Sequence, residues 1–116
     1  MANPRIDTYH FGQIVIDGQR YLHDVIILPD RVIGKWWRDE GHRLALSDLG
    51  EALQMLPEVL VIGQGNIGRM EVPDETRQQL QEAGIDVIME TTERACEIYN
   101  RIREKRRVVA AMHLTC

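Results

Sequence analysis

The sequence is poor in cysteine and aromatic residues and has no long hydrophobic run. Its 116 residues include two cysteines, two tryptophans, three tyrosines and one phenylalanine. Cys96 and Cys116 are too few for a disulfide scaffold, so the expected compartment is the reducing cytoplasm. No apolar stretch approaches the roughly 20 residues that cross a bilayer, and the first residues lack the apolar core of a signal peptide. We therefore expect one soluble cytoplasmic domain that needs neither disulfides nor a membrane.

The sequence also lacks a basic excess. Its formal net charge is -4, whereas general nucleic-acid and membrane-surface binders usually carry positive charge. One basic run, residues 101–107, is expected at a helix end, where cations complement the helix dipole and remain solvated. Contact of this run with an acidic partner stays open, but nucleic-acid binding is not expected.

The first third of the chain has the pattern of β-strands. Ile14 and Ile16 alternate with more polar neighbours, and Asp17-Gly18 is typical of the two-residue turn of a hairpin. A continuous apolar strand follows at residues 25–28, and the segment RVIGKWW, residues 31–37, is predicted to form another. Residues 1–40 are therefore predicted to be an antiparallel β-meander.

The period changes to 3.6 residues from Ser47 onward. A first helix is predicted over residues 47–56, because its apolar residues recur with helical spacing. These residues are Leu49, Ala52, Leu53 and Leu56. Strands are then predicted at 59–62, 85–89 and 108–114, separated by helices at about 74–83 and 91–105. A helix followed by βαβαβ predicts one α/β domain over residues 1–116, with a largely parallel or mixed central sheet and flanking helices.

Several motifs spread over most of the chain resemble a known family. They are Tyr9-x-Phe11-Gly12-x-Ile14, Asp24-Val25-Ile26-Ile27, Trp36-x-Arg38-x-x-Gly41-His42, Asp48-Leu49, Pro57-Glu58-Val59-Leu60-Val61-Ile62-Gly63-x-Gly65 and Ala110-Ala111-x-His113-Leu114-Thr115-Cys116. On these residues the chain resembles the adipogenesis-associated Mth-domain family, a domain of unknown function.

That resemblance implies a compact three-layer α/β domain with a mixed central sheet. Relatives in the family include a mitochondrial assembly factor for respiratory complex I and proteins linked to adipocyte differentiation, and none has an established catalytic mechanism. With no nucleophile–base pair or metal set in the sequence, we expect a non-enzymatic protein-binding or assembly module that carries no cofactor. Its oligomeric state, monomer or small homo-oligomer, stays open.

A glycine-rich loop follows the strand at 59–62. Gly63-x-Gly65-x-x-Gly68 has the outline of a dinucleotide-binding loop, and Glu90 lies 22 positions after Gly68 (90 − 68), near the spacing of a ribose-binding acid. The helix that should open at once is displaced, however, because Pro73 marks its start. Dinucleotide binding is therefore not predicted. A wide turn and an anion-holding nest of backbone amides both stay open.

The carboxyl ends of parallel strands meet at one edge of a sheet, where ligands of such folds bind. Residues from three segments of the chain are expected at this edge. They define the alternative function, which is a small-molecule or anion-binding domain with enzymatic activity left open. The candidate ligand-binding residues are Gly63, Gly65, Asn66, Gly68, Thr91, Thr92 and His113. In the competing interpretation, the two threonines only cap a helix and His113 is hydrogen-bonded within the sheet.

Two further chemistries find little support in the sequence. His113 and Cys116 are three apart in an extended strand and point to opposite faces, so no zinc or other metal site is predicted. Cys96 lies near a helix start beside Arg94, a setting that can lower a thiol pKa. A packing cysteine is the favoured interpretation.

Trp36-Trp37-Arg38 is the candidate protein-contact patch. Adjacent extended residues face opposite sides, so one buried ring leaves the other toward the surface, and tryptophan and arginine dominate interface hot spots. In the alternative interpretation, the helix at 47–56 covers both rings.

Overall fold

The computed structural model describes residues 3–116, and its N-terminal part is a three-stranded antiparallel sheet. Strands β1 (Ile6–His10), β2 (Gln13–Ile16) and β3 (Gln19–Tyr21) lie in that order. The turn between β2 and β3 is Asp17-Gly18, with φ angles of 48° and 80°. Two consecutive positive φ angles are what a type I′ hairpin needs, so the turn predicted from the sequence is present.

The second sheet has five strands in the order β5-β4-β8-β6-β7. Its strands are β4 (Val25–Ile27), β5 (Val32–Ile33), β6 (Val59–Gln64), β7 (Asp86–Glu90) and β8 (Val108–His113). β6 pairs in parallel with both β7 and β8, whereas β4 pairs antiparallel with β8 and with β5. The start of β4 therefore lies beside the end of β8.

Helices cover both faces of this central sheet. A 3-10 helix (Leu46–Leu49) leads into α1 (Gly50–Gln54), and α2 (Asp74–Glu82) and α3 (Thr92–Ile102) follow. On one face of the sheet, α3 and the N-terminal sheet enclose a core that includes Val61 and Ala110. On the other face, α1 and α2 enclose a second core, which includes Leu60 and Ala111. The predicted three-layer α/β fold is confirmed. Within residues 3–116, no helix combines the length and the apolar character that a membrane crossing requires.

The strand predicted over residues 31–37 is wrong beyond its first residues. β5 ends at Ile33, and the chain then leaves the sheet, with the Trp36 N–H donating to the Asp24 carbonyl at 2.9 Å. The buried Trp36 ring belongs to the core that α1 and α2 enclose, and its indole N–H donates to the Asp48 carbonyl at 2.9 Å. Packing of this ring, a tertiary contact, overrides the local strand propensity.

The helix predicted over residues 47–56 is shorter than expected. Its first turn is 3-10 and its α-helical part ends at Gln54. Leu56, assigned to the apolar face, is instead 79% exposed and has a φ of 50°. A left-handed residue just beyond a helix end is a common stop, normally made by glycine, and it turns this leucine away from the core.

Candidate functional site

The three strand ends that the sequence places together do meet, and Thr92 joins them. Its buried hydroxyl accepts a hydrogen bond from the Gly65 N–H at 2.9 Å and donates to the His113 carbonyl at 2.5 Å. Its own N–H donates to the Gly65 carbonyl at 3.0 Å. The threonine therefore connects β6, α3 and β8, and its hydroxyl is fully used within the chain.

The glycine loop is filled by the C-terminal segment. The Asn66 N–H donates to the Thr115 carbonyl at 2.7 Å, and the Arg69 N–H donates to the Cys116 carbonyl at 2.9 Å. A Cβ atom at Gly65 would lie 2.5 Å from the backbone of Cys116. These amides already have partners, so the loop does not present them as a nest for an anion.

The remaining predicted loop residues have packing and turn roles. A Cβ atom at Gly63 would lie 2.7 Å from the Met112 sulfur, and Gly68 has a φ of 75° with its N–H donating to the Gly65 carbonyl at 3.3 Å. Thr91 occupies the N-cap of α3 but makes no side-chain capping hydrogen bond. Of the predicted ligand-binding residues, His113 alone belongs to the polar cluster described next.

A carboxylate, Asp24, lies at the centre of that polar cluster. Oδ2 of Asp24 accepts from His113 Nδ1 at 2.8 Å and from Arg38 Nη2 at 2.7 Å, and Oδ1 accepts from the Leu114 N–H at 2.8 Å. Asp24 directly precedes β4 and His113 ends β8, so the antiparallel pairing of these strands brings them together. Three separate parts of the chain meet at one carboxylate.

The surroundings of Asp24 keep it ionised. Burial by itself would raise the pKa of Asp24, but the hydrogen bonds from His113, the Leu114 amide and Arg38 outweigh burial and lower that pKa below its usual value. An ionised carboxylate only accepts hydrogen bonds. Nδ1 of His113 must therefore carry the hydrogen that lies between the two groups, and Nε2 bears the lone pair when the ring is neutral.

Arg38 is held rigidly in this cluster. Its Nε and Nη2 atoms donate to the Gly41 carbonyl at 3.0 and 2.7 Å. The guanidinium carbon lies 4.6 Å from the ring centre of Trp36, in a cation–π contact. The Arg38 side chain is only 4% exposed. Its guanidinium is therefore fixed in place by partners on several sides.

Two buried nitrogen atoms of this cluster have no partner. Nη1 of Arg38 and Nε2 of His113 make no hydrogen bond with any residue in the range 3–116. Leaving a buried polar atom unpaired costs about 1–3 kcal/mol, and more for a charged group, so such atoms are rare in folded proteins.

Arg38 and His113 also line a cavity, which we call the Arg38 pocket, with a volume of about 290 Å³. Its other lining residues are Leu22, His23, Asp24, Trp37, Gly41, His42 and Thr115. The His42 ring meets the His113 ring edge-on, with centroids 5.5 Å apart. An unpaired guanidinium nitrogen and two imidazoles beside a small open space suit a ligand that carries oxygen atoms.

A larger cavity of about 410 Å³ lies against Trp36 and Trp37. Ser47, Asp48 and Glu51 are on its wall, but none of its side chains contributes a buried unpaired atom among the described residues. Volume alone does not identify a site, so the smaller Arg38 pocket is the better candidate.

The predicted contact patch is divided by the structure. Trp36 is 6% exposed and the side chain of Arg38 is buried, whereas Trp37 is 71% exposed. The Trp37 ring lies 5.5 Å, centroid to centroid, from the ring of His23. Only Trp37 of the three residues is available at the surface.

Three arginines of the basic run contact other parts of the chain. Arg103 Nη1 donates to the Asn3 carbonyl at 2.7 Å, Arg106 pairs with Asp86 at 3.2 Å, and Arg107 Nε donates to the Met55 carbonyl at 2.5 Å.

Cys96 packs against the core formed with the N-terminal sheet. Burial raises its thiol pKa to about 12, and the charges of Glu97 and Glu93 add to the effect. The pKa of the Cys96 thiol is therefore raised, whereas Arg94, beside it in the sequence, indicated that this pKa could be lowered. Such a thiol is inert at neutral pH.

Across residues 3–116, no three His, Cys, Asp or Glu side chains form a group that could hold a metal ion.

Sequence reasoning missed Asp24 and His42 as members of the site. Asp24 was visible as an acidic residue immediately before a continuous apolar strand, where a buried carboxylate is unusual. That signal becomes meaningful only when β4 is known to pair with β8, because the pairing supplies His113 as the partner.

Comparison with known proteins places this chain in a wider group. A family model described as "Protein of unknown function (DUF498/DUF598)" matches residues 6–113. A conserved hypothetical protein from Pyrococcus horikoshii has 26% identity and a TM-score of 0.82, over 97% of this chain and 99% of that one. A Bordetella parapertussis protein has 27% identity and a TM-score of 0.82, over 98% of both chains.

A third solved structure shows the fold at lower identity. It is a Bordetella pertussis protein described as a Mth938-like domain, with 22% identity and a TM-score of 0.68 over 96% of this chain and 85% of that one. None of these descriptions assigns an activity, so function has to be argued from the residues of the Arg38 pocket.

Proposed function

We propose that this chain, which belongs to the DUF498/DUF598 family of proteins of unknown function, is a binding module for a small oxyanion. The Mth-domain resemblance of the sequence agrees with that membership and is confirmed. The observation that carries the proposal is the pair of buried unpaired nitrogens, Arg38 Nη1 and His113 Nε2, on side chains that line one cavity. An oxyanion that accepts from both removes the cost of leaving them unpaired.

The charges of the site suit one anion. Ionised Asp24 balances the charge of Arg38, so the set carries one positive charge when both ring nitrogens of His113 hold a hydrogen. In that form Nε2 donates to the anion beside Nη1 of Arg38. The groups facing that ring are Asp24, Arg38 and His42.

The proposal predicts weak binding of acetate. We expect a Kd on the order of 1–10 mM, because a four-atom ligand with two good hydrogen bonds has little surface to contribute. Two-dimensional NMR titration near pH 6 with sodium acetate at constant ionic strength, with sodium chloride as the salt control, measures this affinity.

Matched variants assign the binding to the Arg38 pocket. His113→Asn keeps a nitrogen near the Nδ1 position to donate to Asp24 but removes Nε2, so acetate affinity should drop at least fivefold while the protein stays folded. Arg20→Gln, at an exposed arginine on β3, should bind as the wild type does. Acetate shifts that are the same in His113→Asn and in the wild type would contradict the proposal.

Protein binding is a second candidate function, favoured by one observation. Trp37 and Leu22 are 71% and 63% exposed, and both lie at the Arg38 pocket. An exposed tryptophan beside an exposed leucine resembles the anchor of an interface. Trp37→Ala should fold normally and lose a partner that the wild type retains in parallel pull-downs, as identified by mass spectrometry. Retention of every partner by the variant would argue against an interface at Trp37.

A further inference from the structure

We infer that the ligand of the Arg38 pocket is a monocarboxylate attached to an apolar body. The carboxylate lies on Arg38 and His113, and the apolar body lies against Trp37 and Leu22. This inference rests on the proposed oxyanion binding and specifies the class of oxyanion. It joins the two features of the cavity, a polar base and an apolar rim, in one ligand.

The polar part of the pocket matches one carboxylate. Arg38 commits Nε and Nη2 to Gly41 and Asp24, which leaves Nη1 as its free nitrogen. Together with His113 Nε2 this gives two donor atoms for two oxygens. With His113 protonated, the charges of Asp24, Arg38 and His113 sum to one positive charge, which a single carboxylate neutralises. A phosphate, with up to two negative charges and three or more oxygens, would leave oxygens unpaired and charge uncompensated.

The rim of the pocket supplies apolar surface on the same side of the molecule. Trp37 and Leu22 line the cavity although most of each side chain is open to solvent. Large exposed apolar groups that border a cavity with few convergent polar groups are typical of ligand sites. The ring of His23, 5.5 Å from that of Trp37, extends this wall. A ligand held at Arg38 would share one cavity with these side chains.

The size of the cavity limits the ligand. The volume of about 290 Å³ lies just below the usual range for small-molecule pockets. A short-chain acid, or the terminal carboxylate of a peptide with one apolar side chain, therefore fits the space. These two sources share the same chemistry, and the test separates them.

The test compares carboxylates of increasing length. NMR titrations near pH 6 use acetate, butyrate, hexanoate and N-acetyl-leucine, with inorganic phosphate as the competing anion. We expect affinity to rise about two- to fourfold for each added methylene that reaches apolar surface, and hexanoate to bind more tightly than phosphate. Tighter binding of N-acetyl-leucine than of hexanoate assigns the carboxylate to a peptide terminus, and the reverse order assigns it to a free acid.

Variants locate the apolar contact. Trp37→Ala should reduce the hexanoate-to-acetate affinity ratio to about half or less of its wild-type value. Phe11→Ala, which removes an aromatic ring that is also exposed but does not line the Arg38 pocket, should keep the wild-type ratio. Acetate binding with no increase along the series, or tighter binding of phosphate, overturns this inference and leaves oxyanion binding intact. Failure of every anion to bind overturns the proposed function and the inference with it.

Discussion

Replacing Asp24 with alanine is expected to lower the free energy of unfolding by about 3–5 kcal/mol, because it leaves a buried arginine without its partner. The Arg38 side chain is 4% exposed, and Asp24 is the carboxylate that faces it at 2.7 Å. The substitution also removes the acceptors of the His113 ring and of the Leu114 amide. Urea unfolding at pH 7 measures the loss, which is a large share of the stability of a domain of this size.

The control for Asp24→Ala is an exposed ion pair. Asp30 lies 3.1 Å from Arg31, and both side chains are about half exposed. Asp30→Ala should change the free energy of unfolding by less than about 1 kcal/mol, because solvent screens such pairs. Equal effects of the two substitutions would contradict a buried Asp24–Arg38 pair.

The same pair gives stability a defined pH dependence. The pKa of Asp24 is lowered in the folded protein, so its contribution is present above the ordinary carboxyl range and is lost as pH falls through the folded pKa. Asp24→Asn should therefore be less stable than the wild type at pH 7. The difference should shrink below about pH 4, where the wild-type carboxyl takes up its proton. A difference that stays constant down to pH 2 would show that the charge of Asp24 contributes nothing.

The second half of the fold could be predicted from the sequence because its signals are local. The helical spacing of α3 and the apolar run of β6 are each visible within a dozen residues. The segment around Trp36 was predicted less well. Its apolar and aromatic residues favour a strand, yet the chain leaves the sheet after Ile33, and the Trp36 indole packs in the core that α1 and α2 enclose. No local sequence pattern predicts that contact.

The candidate site was predicted in part for the same reason. His113 was placed at the right edge of the sheet, because the carboxyl ends of parallel strands converge there. Its partners come from elsewhere. Asp24 arrives through the antiparallel pairing of β4 with β8, and Arg38 through a loop anchored on Gly41. The strand order β5-β4-β8-β6-β7 is a property of the whole fold, so the cluster becomes visible only once that order is known.

Replacing Gly65 with alanine is expected to lower the free energy of unfolding by about 2–6 kcal/mol, the combined cost of a strained backbone and of overpacking. Gly65 has a φ of 104°, which side chains rarely adopt, and an added Cβ would lie 2.5 Å from the backbone carbon and oxygen of Cys116. The atoms it meets are backbone rather than flexible side chain. The neighbouring Asn66 and Arg69 amides hold that segment in place, so it has little freedom to move away.

Gly84→Ala separates the two costs in this prediction. Gly84 has a φ of 82° and open space where its Cβ would lie, so this control carries backbone strain of about 1–2 kcal/mol without the clash. Urea unfolding of both variants gives the packing cost as the difference, and hydrogen exchange at the Asn66 and Arg69 amides should accelerate in Gly65→Ala alone. Equal losses in the two variants, with unchanged exchange, would mean that the C-terminal segment does not fill the glycine loop. That loop would then be free to offer its amides to an anion, in competition with the Arg38 pocket.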